Sequence, residues 1–229
     1  MIDSLMQKTF LIRTLIRRDF IASAAAALLW ASAPTRAFST TKRAVPLVLV
    51  LGDSLSAEYG LKRGSGWVAL LQQRLLQERI APSVVNASIS GETTSGARSR
   101  LAALLALHRP THVILEVGGN DALRGLPLAM TQDNLDQMTL LSQASGAKVL
   151  LVGMQVPPNY GADYTQAFAA SFAAVATKRK AALVPFLLRG VADRPDAEKW
   201  FQADRIHPRE EAQIMLLNNV WPELRKLLP

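Results

Sequence analysis

The chain has 229 residues, of which 49% are hydrophobic and 19% are charged, and its formal net charge is +8. This length favours one domain with a sizeable core, and the composition excludes an intrinsically disordered protein. The absence of cysteine excludes disulfides, a thiol nucleophile and thiolate metal sites, and the basic residues are too scattered to indicate a nucleic-acid partner.

The N-terminal segment has the pattern of an export signal. The adjacent arginines Arg17-Arg18 precede a mildly apolar, alanine-rich run at 22–33, which is shorter than the about 20 residues that a membrane-spanning helix needs. The arginine pair resembles the twin-arginine class, with general secretion as the alternative route. We expect cleavage after Ala37, between a signal at 1–37 and a domain at 38–229 that is periplasmic or secreted. An uncleaved anchor or an amphipathic helix are the other interpretations.

Strands and helices alternate along the rest of the chain. The first strand, 47–51, contains only Leu and Val, which is typical of a parallel strand buried on both faces. Further strands are predicted at 83–87, 112–117, 148–152 and 182–186. Helices are predicted at 67–79, 97–107, 134–145, 163–178 and from Pro208 onward, with a kink or break before Pro222. The alternation predicts an α/β fold with a parallel sheet between two helical layers, and Pro185 places the last strand at an edge.

Polar residues follow three of the predicted strands closely. Ser54 comes just after the first strand, Gly91 lies in the loop after the second, and Asn120 follows the third. In open parallel sheets the ligand site lies beyond the carboxyl ends of the strands. We therefore expect these three loops to converge on one edge of the sheet.

A serine nucleophile needs a base within hydrogen-bond reach, and the base needs a partner that fixes its tautomer. Of the three histidines, His207 is the best candidate for the base, because Asp204 stands three residues before it in a predicted loop. His108 and His112 are interpreted as structural or solvated. The alternative for Ser54 is a helix N-cap, and the alternative for Asp204 is a surface carboxylate paired with Arg205.

Acyl transfer also needs hydrogen-bond donors directed at the developing oxyanion. The backbone N–H groups of Ser54 and Gly91 and the side-chain amide of Asn120 suit that role. A tight turn is the alternative for Gly91, and a turn amide for Asn120. Asp53 is expected to support the turn that carries Ser54.

Four short blocks carry a family resemblance. Ser54 lies in Gly-Asp-Ser-Leu, Gly91 in Ser-Gly-Glu, Asn120 in Gly-Gly-Asn-Asp and His207 in Asp-x-x-His-Pro. In order and spacing these blocks resemble those of the SGNH (GDSL-type) hydrolases, in particular the bacterial periplasmic acyl thioesterases, lysophospholipases and arylesterases. The resemblance implies a flavodoxin-like three-layer α/β/α fold without a metal or organic cofactor. It also implies Ser54 as nucleophile, His207 as base with Asp204 as its partner, and an oxyanion hole formed by Ser54, Gly91 and Asn120.

These observations predict an exported serine esterase that acts on carboxylic esters or thioesters through an acyl-enzyme. The expected partner is a small-molecule or lipid-like acyl ester, with transient membrane-surface contact and no protein partner implied. The alternatives are a deacetylase of envelope polysaccharide and a non-catalytic envelope-binding module on the same fold. Glu58 and Arg205 depart from the family pattern and are expected near the pocket mouth. Leu123, Leu126 and Met154 are candidate pocket residues, although ordinary core packing is the preferred interpretation for all three.

Overall fold

A computed structural model describes residues 46–80 and 83–229. Within this part of the chain, five strands form one parallel sheet in the order β2-β1-β3-β4-β5. The strands are β1 (Leu47–Gly52), β2 (Ser83–Asn86), β3 (His112–Glu116), β4 (Lys148–Val152) and β5 (Ala182–Val184). The predicted five-stranded parallel sheet is confirmed. Strand β5 lies at an edge as predicted, but it ends at Val184 and does not include Pro185. The predicted export signal at 1–37 lies outside the described residues.

Helices cover both faces of the sheet. They are α1 (Trp67–Gln77), α2 (Thr94–His108), α3 (Gly119–Leu123), α4 (Leu128–Ala144), α5 (Ala162–Arg179) and α6 (Gln213–Leu227), with short 3₁₀ turns at Pro158–Tyr160, Ala197–Trp200 and Glu210–Ala212. Helices α1 and α6 pack together, while α4 packs against both α2 and α5. The predicted three-layer α/β/α architecture is therefore confirmed. None of the helices in the described ranges is both long and apolar enough to cross a membrane.

The core lies on the three central strands. The side chains of β1 from Val48 to Leu51 are completely buried, as are Leu150, Leu151 and Val152 in β4. This burial on both faces explains the uninterrupted Leu and Val runs, because helices cover each side of a parallel sheet. Because buried side chains are close-packed, this core gives a fixed base to the loops that follow the strands.

Several helix boundaries differ from the prediction, each for a local reason. Helix α2 begins at Thr94 rather than 97, because the Thr93 side chain accepts the backbone N–H of Gly96 and caps the helix. Helix α4 begins at Leu128 rather than 134, directly after Pro127, which occupies the N-cap position. The prediction covers only the later part of this helix, which holds most of its buried residues.

The last helix begins five residues after Pro208, near which its start is predicted. Pro208 instead pairs with Phe201 in an isolated antiparallel bridge, a 3₁₀ turn follows, and α6 begins at Gln213. The helix also continues through Pro222 without ending there. The short helix α3 was not predicted, because its five residues are too few for a periodic pattern.

Candidate active site

The order of the strands fixes where a site can form. From β1 the chain passes to β2 on one side and then to β3 on the other, so the connections diverge between β1 and β3. A crevice forms at such a point beyond the carboxyl ends of the strands. Ser54 follows β1 by two residues, and Asn120 lies in α3, just beyond β3. The topology therefore brings these two side chains to the same crevice.

Ser54, His207 and Asp204 form a continuous chain of hydrogen bonds. The Ser54 Oγ lies 2.8 Å from Nε2 of His207, and Nδ1 of His207 lies 2.7 Å from Oδ2 of Asp204. Because a carboxylate only accepts hydrogen bonds, Nδ1 carries the hydrogen and Nε2 is free to accept the hydroxyl hydrogen of Ser54. This is the arrangement that nucleophilic catalysis by serine requires.

Asp204 is held as a carboxylate by its own loop. Its Oδ1 accepts the backbone N–H groups of Ile206 and His207, both at 3.0 Å. Partial burial raises the pKa of Asp204, but these backbone hydrogen bonds and the contact with His207 outweigh it, so the pKa falls from 3.8 to about 2. The side chain is paired with His207, whereas Arg205 is directed to Glu198 at 3.5 Å. The interpretation of Asp204 as a surface carboxylate paired with Arg205 is wrong.

Three hydrogen-bond donors border the same cavity as Ser54 and His207. They belong to Ser54, Gly91 and Asn120, all of which line it. Within the described ranges the backbone N–H groups of Ser54 and Gly91 have no acceptor. The Asn120 Nδ2 donates one hydrogen to Asp53 Oδ2 at 3.2 Å, which orients the amide and leaves its second hydrogen for another acceptor. The structure thus brings all five predicted site residues together, with Asp204 behind His207.

Asp53 supports the turn that carries Ser54. The Asp53 side chain is nearly fully buried, and its Oδ1 accepts the backbone N–H of Leu55 at 3.0 Å. Burial raises the pKa of this carboxyl from 3.8 to about 6, against the lowering effect of the Leu55 hydrogen bond. Asp53 therefore connects the Ser54 turn with the Asn120 amide, as a supporting residue would.

A second buried carboxylate fixes the helix that carries Asn120. Asp121 is completely buried, and its Oδ2 accepts the backbone N–H of Thr94 at 2.9 Å. Its Oδ1 accepts the hydroxyl groups of Thr94 and Thr131. These contacts join α3 to the first turns of α2 and α4, so the position of Asn120 is set by three helices.

The cavity beside Ser54 is large and mainly apolar. Its volume is about 670 Å³, and its apolar lining consists of Leu55, Leu123, Met154, Val156, Pro157, Phe186, Leu188, Ala192, Phe201 and Ile206. Two of the three candidate pocket residues are present, and Leu126 is not among the lining residues. Arg205 borders the cavity as expected. Glu58 does not, because its carboxylate accepts the backbone N–H groups of Gly64 and Gly66.

Sequence reasoning missed two residues of this region. The ring of Tyr59 packs on the imidazole of His207, with 4.3 Å between the ring centroids. Glu116, at the end of β3, is completely buried and accepts the hydroxyl of Ser56 at 2.7 Å. The signal for Glu116 was an acidic residue in an otherwise apolar strand. No local signal pointed to Tyr59, because its contact depends on a loop 148 positions further along the chain.

Comparison with known proteins places this site in a family. Residues 50–213 match the family model described as "GDSL-like Lipase/Acylhydrolase family". The chain is 52% identical to Esterase TesA of Pseudomonas aeruginosa, over 82% of this chain and 92% of the relative. It is 38% identical to Thioesterase 1/protease 1/lysophospholipase L1 of Escherichia coli strain K12, over 81% of this chain and 86% of the relative.

A solved structure has the same fold. The crystal structure of the psychrotrophic esterase EstA from Pseudoalteromonas sp., inhibited by monoethylphosphonate, aligns with a TM-score of 0.74 and 40% identity. The alignment covers 79% of this chain and 97% of EstA. The matched segment of the family model also contains every residue of the proposed site, from Ser54 to His207. The chain therefore belongs to the GDSL-like lipase/acylhydrolase family, as its four sequence blocks predict.

Proposed function

We propose that Ser54, His207 and Asp204 are the catalytic triad of a serine esterase that hydrolyses carboxylic esters or thioesters through an acyl-enzyme. The chain is an ester hydrolase of its family, whose relatives are named as esterase and as thioesterase and lysophospholipase. The assignment of the reaction to these residues rests on one observation. The Ser54 hydroxyl, the His207 imidazole and the Asp204 carboxylate are connected by hydrogen bonds of 2.8 and 2.7 Å.

In the first half of the reaction, Ser54 Oγ attacks the carbonyl carbon while Nε2 of His207 takes the hydroxyl proton. Asp204 stabilises the imidazolium that forms. The carbonyl oxygen becomes an oxyanion, which the Ser54 and Gly91 N–H groups and the Asn120 amide stabilise. His207 then gives its proton to the departing alcohol or thiol, and the acyl group stays on Ser54.

In the second half, a water molecule takes the place of the leaving group. Nε2 of His207 removes a proton from this water as its oxygen attacks the acyl carbon. The second tetrahedral intermediate uses the same three donors. Its collapse returns the proton to Ser54 Oγ and releases the carboxylic acid, so the enzyme is restored.

The cavity supports an acyl substrate with an apolar chain. A cavity of about 670 Å³ with a mainly apolar lining accepts a chain by burying its methylene groups, each worth about 0.8 kcal/mol. An acetyl group would leave most of this apolar surface without a partner. A lipid-like ester therefore fits the cavity better than the acetylated sugar that the deacetylase alternative requires.

Hydrolysis of p-nitrophenyl esters from acetyl to palmitoyl tests the proposal, with the full chain compared with Ser54→Ala. We expect Ser54→Ala to lose the activity on every ester and Ser99→Ala, which changes an exposed serine on α2, to keep it. A preference for acyl chains longer than acetyl supports the apolar pocket. Activity confined to acetyl esters and acetylated sugars would favour the deacetylase, and a folded chain without any activity would favour the binding module.

We also propose that residues 1–37 direct export, so that the hydrolase domain of 38–229 acts in the periplasm or outside the cell. The support is the order of basic, apolar and small residues in the sequence. Expression in a Gram-negative host is expected to give a periplasmic chain beginning at Phe38. Loss of export in the double variant Arg17→Lys, Arg18→Lys would indicate the twin-arginine route, and continued export the general one. An uncleaved chain in the membrane fraction would contradict the proposal.

A further inference from the structure

Glu116 is a buried carboxyl group directly beneath the turn that carries Ser54. It is the last residue of β3, its register partner in β1 is Gly52, and it has no exposed surface. Its Oε2 accepts the Ser56 hydroxyl at 2.7 Å and lies 3.4 Å from the backbone nitrogen of Asp53. Its Oε1 is buried and has no hydrogen-bond partner among the described residues.

The surroundings of Glu116 do not suit a negative charge. The titratable group that acts on it is Asp53, which is also acidic, and no Lys, Arg or His in the described ranges pairs with it. Burial, followed by the neighbouring Asp53, raises the pKa of Glu116 well above 4.5. A buried carboxylate with an unpaired oxygen and no cationic partner is strongly destabilised, whereas a neutral acid in the same place is destabilised much less.

Of the two neighbouring carboxyl groups, Glu116 holds a proton more readily than Asp53, because their hydrogen-bond contacts differ. Asp53 accepts hydrogen bonds from the Leu55 N–H and the Asn120 amide, and the nearby His207 also favours its charged form. Glu116 has only the Ser56 hydroxyl and one long contact to the Asp53 nitrogen. The proton of the pair therefore belongs on Glu116, and Asp53 keeps the charge with which it holds Asn120.

We propose that Glu116 is a positioning residue that holds the Ser54 turn from below as a neutral, protonated carboxylic acid. The proposal rests on the proposed role of Ser54 as nucleophile. Ser56 transmits the effect, since its hydroxyl binds Glu116, its N–H donates to the Asp53 carbonyl and its own carbonyl accepts the Asn86 amide.

The protonation state can be measured without any reference to activity. We expect the infrared spectrum of the full chain, labelled with carboxyl-¹³C glutamate, to contain a protonated-carboxyl C=O band at pH 7. The band should be absent from Glu116→Gln, in which the amide is neutral and keeps an acceptor for Ser56. A wild-type spectrum without the band would overturn the proposal, as would a band that persists unchanged in Glu116→Gln.

Kinetics separate positioning from a merely structural role. Glu116→Gln is expected to keep kcat on p-nitrophenyl butyrate within about threefold, because the hydrogen bond to Ser56 remains. Glu116→Met has a similar volume without that acceptor, and we expect kcat to fall about tenfold or more with KM within about twofold. Ser142→Ala removes a buried hydroxyl that has no hydrogen-bond partner among the described residues. It is the control for stability and should leave kcat unchanged.

Fluorophosphonate labelling distinguishes this proposal from the proposed function. If the wild type reacts at Ser54 and Glu116→Met reacts more slowly, the role of Ser54 as nucleophile and the positioning role of Glu116 are both supported. If the wild type reacts at Ser54 and Glu116→Met reacts at the same rate, Glu116 does not position the nucleophile. If the folded wild type does not react at all, the proposed role of Ser54 fails, whereas the infrared result still decides the protonation of Glu116.

Discussion

The imidazole of His207 packs on the ring of Tyr59, with 4.3 Å between the centroids and 35° between the ring planes. Asp204 binds the edge of the imidazole, so the two contacts restrain it in different directions. Tyr59 is itself held by Gln202, whose side-chain amide donates to the Tyr59 carbonyl at 2.9 Å. The loop after Ser54 and the loop before His207 are therefore fastened to each other beside the site.

Removing the Tyr59 ring should slow the reaction by freeing the imidazole. We expect Tyr59→Ala to lower kcat on p-nitrophenyl butyrate about tenfold, because His207 no longer stays aligned with the Ser54 hydroxyl. Tyr59→Phe keeps the ring and should stay near the wild type. Tyr160→Ala, which removes an exposed ring outside the cavity lining, is the control. Equal kcat values for Tyr59→Ala and the control would show that the stacking has no kinetic effect.

The Asn120 amide should act mainly in the transition state. Asn120→Ala is expected to lower kcat about 10²–10³-fold with little change in KM, because one donor to the oxyanion is lost. Asn218→Ala changes an exposed asparagine on α6 and should have no such effect. Steady-state kinetics of the two variants make the comparison. A rise in KM with an unchanged kcat would mean that Asn120 binds the substrate and does not stabilise the oxyanion.

Arg205 has a backbone conformation that suits glycine better. Its φ is +58°, and non-glycine residues in this region are destabilised by about 1–2 kcal/mol. We expect Arg205→Gly to raise the free energy of unfolding by about 0.5–1 kcal/mol, the remainder being offset by the greater freedom of glycine in the unfolded chain. The ion pair with Glu198 is highly exposed and adds little.

Urea denaturation of Arg205→Gly measures this effect. Arg63→Gly is the matched control, since Arg63 is exposed and is not among the residues with positive φ. Its midpoint should equal that of the wild type or lie below it. A midpoint for Arg205→Gly no higher than that of the control would mean that the left-handed conformation costs nothing here.

Asp136 contributes stability that depends on pH. Its Oδ1 and Oδ2 accept hydrogen bonds from Arg179, both at 2.6 Å, and Lys178 donates to Oδ2 at 3.0 Å. The Arg179 hydrogen bond is the main cause that lowers the pKa of Asp136 from 3.8 to about 2. A carboxyl whose pKa is lower in the folded state stabilises the fold above pH 3.8, and this stability is lost as the pH falls towards 2.

Asp136→Asn should therefore be less stable by about 2 kcal/mol at pH 7, with the difference shrinking between pH 4 and pH 2. Urea denaturation at pH 7, 5, 4 and 3 gives the profile. Asp133→Asn, which removes an exposed ion pair with Arg98, should show a much smaller difference. A difference between Asp136→Asn and the wild type that does not change with pH would contradict the linkage.

The sequence predicted the sheet and the five site residues because both leave local signals. Strands buried on two faces appear as uninterrupted Leu and Val runs, and the residues that follow them must meet at one edge of a parallel sheet. The pairing of Asp204 with His207 could also be predicted from a local signal, since the two residues are only three positions apart. These features need no knowledge of distant contacts.

The features that sequence reasoning missed depend on tertiary structure. Proline is common at the first position of a helix, which is why a start near Pro208 is predicted. Here Pro208 pairs with Phe201 in a β-bridge, and the helix begins only at Gln213. Tyr59 reaches His207 only after two distant loops have met. Glu116 stands out in β3, but its contact with Ser56 follows from the register between β1 and β3, which the sequence does not reveal.

Covalent labelling gives the sharpest test of Ser54 as the nucleophile. The full chain is incubated with a fluorophosphonate and the adduct is located by peptide mass spectrometry. We expect one adduct per chain, on Ser54, with no labelling of Ser54→Ala and slow labelling of His207→Ala. An adduct on a different residue, or none on a chain that is folded and hydrolyses esters, would contradict it.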